Sequence, residues 1–138
     1  MRRLSSRRAP TDQVPVLFEA PVAASLLSHL VSAISGSALY RKASFLLDQL
    51  EQPVFPDWVR VHEQPLLPRA IGSAAFDGEG VQTRTRDIVS DGVLTGYVLD
   101  AYSARRLGLR TTGNAGGVHN LTLVSGRKSL DELVSHMG

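Results

Sequence analysis

The dipeptide Asp91-Gly92 constrains this chain more than any other feature. Its Asp-Gly pair suits a two-residue turn with positive φ at both positions, the geometry that joins two right-twisted antiparallel strands. On one side lies Val81-Gln82-Thr83-Arg84-Thr85-Arg86-Asp87-Ile88-Val89 and on the other Val93-Leu94-Thr95-Gly96-Tyr97-Val98-Leu99, both rich in β-branched residues. A β-hairpin over 81–99 is the expected centre of the fold.

Helical periodicity is confined to the N-terminal third. Pro21 suits the first turn of a helix, and Val22, Leu26, Leu30 and Ile34 follow at four-residue spacing, with Leu27 and Val31 beside them. This predicts an amphipathic helix that Gly36 can end. A second helix is expected through Ala43–Leu50, and Val14–Phe18 reads as a short strand. Pro53, Pro56, Pro65 and Pro68 then forbid a long helix, and Trp58–His62 between them alternates like an edge strand. Beyond the hairpin come a short helix over Ser103–Leu107 stopped by Gly108, a flexible loop at 113–117, and a strand at His119–Val124. A last helix is opened by the capping box Ser129-Leu130-Asp131-Glu132. The expected class is α+β: an amphipathic helix followed by an antiparallel hairpin and sheet.

The composition narrows the chemistry. With no cysteine, disulfides, thiolate metal ligands and thiol nucleophiles are all excluded, which agrees with a cytoplasmic location. No apolar run approaches the roughly 20 residues that cross a bilayer. The net charge is +2, and Arg2, Arg3, Arg7 and Arg8 supply four of the fifteen basic residues; removing those four charges from +2 leaves −2. The basic character is therefore a property of residues 1–13, expected to be an unstructured lead-in to a domain over 14–138. No broad nucleic-acid footprint remains.

No catalytic constellation is complete. His29 lacks a second histidine or carboxylate at Ser32, Ala33 or Ile34, whereas zinc needs three or four converging ligands. His62-Glu63 opens like a metalloprotease motif, but Leu66 and Leu67 stand where its second histidine would be needed. His136 has no visible partner. Asp77-Gly78-Glu79-Gly80 suits either a cation or a wide turn before the hairpin. Arg84 and Arg86 fall on one face of an alternating strand, which suits either a grip on a peptide carboxylate or backbone carbonyls or a plain solvated face. The run Gly113-Asn114-Ala115-Gly116-Gly117-Val118-His119-Asn120 combines glycines that allow close backbone approach with hydrogen-bonding side chains. It matches neither a P-loop nor a dinucleotide fingerprint. Arg84, Arg86, Asn114, Gly116, Gly117, His119 and Asn120 are the candidate peptide-binding residues.

Several runs, in order, resemble the TldD/PmbA family, also called modulators of DNA gyrase. They are Ser28–Gly36, Ala38–Asp48, Phe55–Trp58, Phe76–Val81, Arg86–Gly92, Tyr102–Leu109 and Gly113–Asn120. The match is closest to the PmbA (TldE) branch and extends from about Val16 onward. The resemblance implies a heterodimeric metalloprotease that processes or degrades small unfolded peptides. In it a TldD-type subunit holds the metal, expected to be zinc, on a His-Glu-x-x-x-His helix with a distant cysteine. On the aligned helix this chain has Ser28 for the first histidine, His29 for the glutamate and Ala33 for the second histidine. The resemblance therefore implies a non-catalytic subunit with no metal of its own and a TldD-type partner. Family members run to several hundred residues, so the chain resembles a fragment of the family's central region. The alternative expectation, from the family's older name, is a nucleic-acid or gyrase-associated regulatory protein.

Overall fold

The computed structural model describes residue 8 and residues 10–124, 126 and 128–135. His136, Arg2, Arg3 and Arg7 lie outside these residues. Helix α1 (Ala20–Ala33) begins with Pro21 in its first turn and closes at Ile34. Helix α2 (Gly36–Tyr40) follows almost at once, because Ser35 caps it by accepting the Ala38 N–H. Four short strands form one antiparallel sheet, β1 (Val61–Glu63), β2 (Arg86–Ser90), β3 (Val93–Leu94) and β4 (Leu121–Leu123), in the order β3-β2-β1-β4. Helix α3 (Ala101–Arg106) is capped by Asp100, and α4 (Leu130–Ser135) by Ser129 and Glu132, whose reciprocal hydrogen bonds close a capping box. The expected α+β class and the two C-terminal helices hold.

The hairpin turn also holds: Asp91 (φ 50°) and Gly92 (φ 77°) both adopt positive φ and join β2 to β3. The strands are shorter than expected. After Leu94 the regular strand ends, and at Gly96 an added Cβ would lie 2.9 Å from the Arg86 guanidinium. Val98 then leaves the sheet and pairs with the α1–α2 junction, exchanging hydrogen bonds with Ile34 and Gly36. Residues 81–85 stay outside β2 because Asp77 folds them back. The edge of β3 is covered by residues 51–55, whose Pro53 blocks further pairing.

Three expectations are corrected. Residues 43–50 are turns, not a helix. Lys42, just before them, and Asp48 within them adopt positive φ, and the Tyr97 hydroxyl fixes the turns by donating to the Leu46 carbonyl (2.7 Å) and accepting from the Gln49 N–H (3.2 Å). Val14–Phe18 forms no strand; its valines and phenylalanine lie exposed. The segment 58–62 contributes to β1, which is a central strand, because β4 pairs on its second side.

The core is built by Ile34, Leu39, Val61, Ile88, Val89, Leu94 and Leu99, each at most 2% exposed. A β-bulge between Val61 and His62 in the β1–β2 pairing lets the adjacent Ile88 and Val89 both point inward, where a regular strand would alternate them. Gly36 packs so closely on α3 that a Cβ would fall 2.1 Å from the Ser103 hydroxyl.

Candidate functional site

The same bulge sets two charged pairs on opposite faces of the sheet. On the outer face Arg60 and His62 both reach Asp87, Arg60 through contacts of 2.9–3.1 Å. Burial would raise the Asp87 carboxyl, but the bonds from Arg60 and His62 outweigh it and hold the group below its ordinary 3.8. On the inner face Glu63, 1% exposed, accepts from Arg86 (2.9 Å), from the Asn114 amide (2.8 Å) and from the His119 backbone N–H (2.8 Å). Arg86 also donates to the Asn114 carbonyl oxygen at 2.8 Å. A buried carboxylate is tolerable only when its lone pairs are filled and a cation stands beside it, and both conditions are met here.

Two further side chains fasten the loops around this network. Asp77 accepts backbone N–H groups from Glu79 and Val81 (both 2.9 Å) and from Ala115 (3.0 Å). Its burial alone would raise the carboxyl, yet these three bonds hold it below 3.8. The stretch Asp77–Gly80 is thus a turn that anchors the glycine loop, and among the described residues no group of three or more His, Cys, Asp or Glu is placed to hold a metal. Asn120, at φ 44°, accepts from the Gly72 N–H and donates to the Gln64 carbonyl and the Ser73 hydroxyl. His119 sets Nδ1 against the Gly72 carbonyl at 3.1 Å, and its buried Nε2 has no partner among the described residues.

The candidate peptide-binding residues therefore divide. Arg86, Asn114, Gly117, His119 and Asn120 are drawn into one internal network, Gly117 through its carbonyl on the Asn114 amide (3.1 Å). Gly116 is exposed at the tip of the loop, and Arg84 is exposed on the segment before β2. Arg84 and Arg86 meet again along one cleft of about 680 Å³ between residues 81–86 and the α3–β4 connection. Glu63 was missed as a site residue. Its signal was present: Val59, Val61, Glu63 and Pro65 alternate inward, which places a carboxylate on the buried face of a strand.

A second, apolar groove of about 480 Å³ runs beside α1, lined by Leu26, His29, Leu30, Phe45 and Phe55 among others. Ser28 and His29 are exposed on α1 and Ala33 is half-buried. The Ser28 hydroxyl donates to the Ser25 carbonyl at 2.6 Å.

Comparison with known proteins gives this geometry its context. Residues 11–138 match the family described as PmbA/TldA metallopeptidase C-terminal domain. The chain belongs to the PmbA/TldD family. It is 46% identical to the metalloprotease PmbA of Escherichia coli O157:H7 over all 138 residues, and 48% identical to a PmbA homolog of Haemophilus influenzae over 118 residues, 86% of the chain. A TldD homolog of Haemophilus influenzae is 25% identical over 143 aligned positions, which cover 96% of the chain, so the PmbA branch is the nearer one. Among solved structures, a proposed modulator of DNA gyrase from Bacteroides thetaiotaomicron superposes with TM-score 0.77 at 37% identity, over 83% of this chain and 26% of that one. TldE from Thermococcus kodakarensis superposes with TM-score 0.65 at 25% identity, over 78% and 27%. The chain spans about a third of the length of the curated relatives it matches, 31% of the Escherichia coli protein and 26% and 30% of the two Haemophilus influenzae ones.

The PmbA/TldD resemblance brings in a metal, and the donor set on α1 does not fit one. Ser28 spends its hydroxyl on its own helix, Ala33 has no ligating atom, and His29 stands alone. A single imidazole on an exposed helix face does not hold zinc, which requires several converging ligands. Among the described residues, no helix is long and apolar enough to cross a membrane.

Proposed function

We propose that this chain belongs to the non-catalytic, PmbA/TldE-type side of a two-subunit protease, and that a TldD-type partner carries the zinc. What supports this reading is the α1 donor set: Ser28, His29 and Ala33, the residues that the family resemblance sets against the metal motif, offer a single imidazole among them. The chain's own contribution is to receive an unfolded peptide. Segment 82–85 suits strand addition, because Arg84 and Thr85 make no backbone hydrogen bond among the described residues, and a free main-chain edge captures extended peptides with little sequence demand. The internal network of Glu63, Arg86 and Asn114 keeps that edge rigid. The absence of cysteine suits a cytoplasmic setting.

A nucleic-acid or gyrase-associated role is the weaker reading. Among the described residues no aromatic side chain lines the basic cleft beside this edge, and stacking platforms are what single strands require. The test is cleavage of an unstructured peptide by the chain alone, by a TldD-type subunit alone and by the two mixed, each with and without chelator. Chelator-sensitive cleavage is expected only where the TldD-type subunit is present, with this chain increasing it. Cleavage by the unpartnered chain, abolished by His29→Ala, would overturn the proposal.

A further inference from the structure

The cleft between residues 81–86 and the α3–β4 connection has an unusual charge balance. Arg84, Arg105 and Arg110 line it together with Arg86, and among the described residues no carboxylate does. Arg86 is committed to Glu63. The other three make no salt bridge among the described residues, and their only side-chain hydrogen bond is a long one of 3.3 Å from Arg105 to the Ala101 carbonyl of its own helix. The nearby carboxylates are occupied elsewhere: Asp100 caps α3 through Ser103, and Glu79 accepts the Ala101 N–H. Like charges gathered in a concave surface focus a positive potential that an anion relieves.

The rest of the lining says which anion. Val81, Ala101, Ala104 and Leu109 give it an aliphatic floor, and Thr85 and Thr111 add hydroxyls at its walls. A volume of about 680 Å³ falls within the range of pockets that enclose drug-sized or short-peptide ligands. Guanidinium groups present a planar fork that matches a carboxylate with two parallel hydrogen bonds. Aliphatic contact with carboxylate pairing describes an acidic peptide in extended form, and the free backbone groups of Arg84 and Thr85 lie along the same wall.

We infer that this arginine cleft is a binding site for carboxylate-bearing peptide, held by Arg84, Arg105 and Arg110, so that the chain selects acidic segments of the unfolded peptide that the proposed function assigns to it. The inference rests on that reading for its biological setting. Its test does not require a partner subunit.

The test is fluorescence anisotropy with the 138-residue chain and fluorescein-labelled probes. The probes are an Asp-Ala repeat peptide with an amidated C-terminus, an Asn-Ala repeat amidated, the same Asn-Ala repeat with a free carboxylate, and oligothymidylate. The Asp-Ala peptide is expected to bind about tenfold or more tightly than the amidated Asn-Ala peptide, with the advantage shrinking as salt rises, since exposed charge pairs are screened. A comparable gain for the free-carboxylate Asn-Ala peptide alone would keep the site and assign its ligand as a chain terminus. The Arg84→Gln/Arg110→Gln variant should lose the advantage, and Arg84→Lys, a point charge without the fork, should keep only part of it; the Arg84 and Arg110 side chains are exposed, and circular dichroism will verify the fold. Equal binding of the Asp-Ala and both Asn-Ala peptides, tighter binding of oligothymidylate, or an unchanged preference in the double variant would each overturn the inference. Failure of the mixed-subunit cleavage assay would leave these affinities untouched, so the two proposals fail separately.

Discussion

Two ends of this molecule solve the same burial problem in opposite ways. Around β1, β2 and the glycine loop, polar side chains are buried and nearly every one is used. Glu63 fills its oxygens with three donors, Asp77 with three backbone N–H groups, and Asn120 ties three segments together. Beside α1 the groove is lined mainly by apolar side chains, and much of their surface remains open. Val22 is 51% exposed, Leu26 47% and Phe45 84%. The polar end is self-contained: directional bonds tie down loops that have no regular structure. The apolar end is held mainly by Leu30 and Ile34 reaching the core, and nothing directional fixes the rest of its face. Directional bonding in this chain concentrates in loops at least as much as in regular secondary structure.

The largest effect that would break this contrast is at Glu63. Glu63→Ala strips three donors of their acceptor and leaves the Arg86 cation half-buried without its counter-ion. Removing one member of a buried pair costs about 3–5 kcal/mol, so the urea midpoint should fall to the point where the domain is marginal. Replacing both partners, Glu63→Leu with Arg86→Leu, should cost less than the two single changes added together, because no isolated charge is then buried. Equal and additive losses across the cycle would mean that the pair packs as two independent side chains.

How much of this was legible in the sequence follows from the range of the interactions. The hairpin turn, the α3 stop at Gly108 and the capping box at Ser129 depend on neighbours within a few residues, and all three were readable. Helix 43–50 was not, because what fixes that stretch as turns is Tyr97, about fifty positions away. Strand 58–62 reads as an edge because its flanking prolines are local, whereas its second neighbour, β4, lies about sixty residues away. The candidate site shows the same division. Asn114, His119 and Asn120 were picked out as polar residues in a glycine-rich run, but their common partner region around Glu63 and Gly72 lies some fifty residues upstream. Only the inward phase of Val59, Val61, Glu63 and Pro65 could have signalled it.

An intermediate effect is expected from acid. The Asp77 and Asp87 carboxyls both titrate below their ordinary 3.8 in the folded chain. A depressed carboxyl adds stability that is fully present above its unfolded pKa and is lost as pH falls through the folded one. The polar end should therefore weaken as the pH falls below about 4. Asp77→Asn sharpens the point. An asparagine oxygen can still accept from Glu79 and Val81, but its NH₂ would face the Ala115 N–H, so a cost of about 1–3 kcal/mol is expected at neutral pH. The acid limb of the stability profile should flatten in the variant. Urea midpoints measured at steps between pH 3 and 7 on both proteins check this, and parallel profiles would show that Asp77 does not carry the acid sensitivity.

The smallest expected change in stability lies on the apolar side, and it separates surface from structure. Leu26 and Phe45 border one groove and are among the chain's exposed large hydrophobics, as is Trp58 at 74%. Replacing Leu26 by Gln and Phe45 by Ser removes apolar surface already in contact with water, so stability should move by about 0.5 kcal/mol or less. Association should move much more, because contiguous exposed apolar patches are what draw copies together. Static light scattering of the parent chain should rise with concentration, and the double variant should scatter nearer to a monomer. Trp58 is the single tryptophan, so its emission reports its surroundings without ambiguity. In dilute parent protein it should emit at the long wavelength of a hydrated indole and shift to the blue on concentration only if it joins the contact. A loss above about 1.5 kcal/mol in the double variant would instead mean that these side chains are buried in the dissolved chain, and the contrast between a closed polar end and an open apolar one would fail at the apolar end.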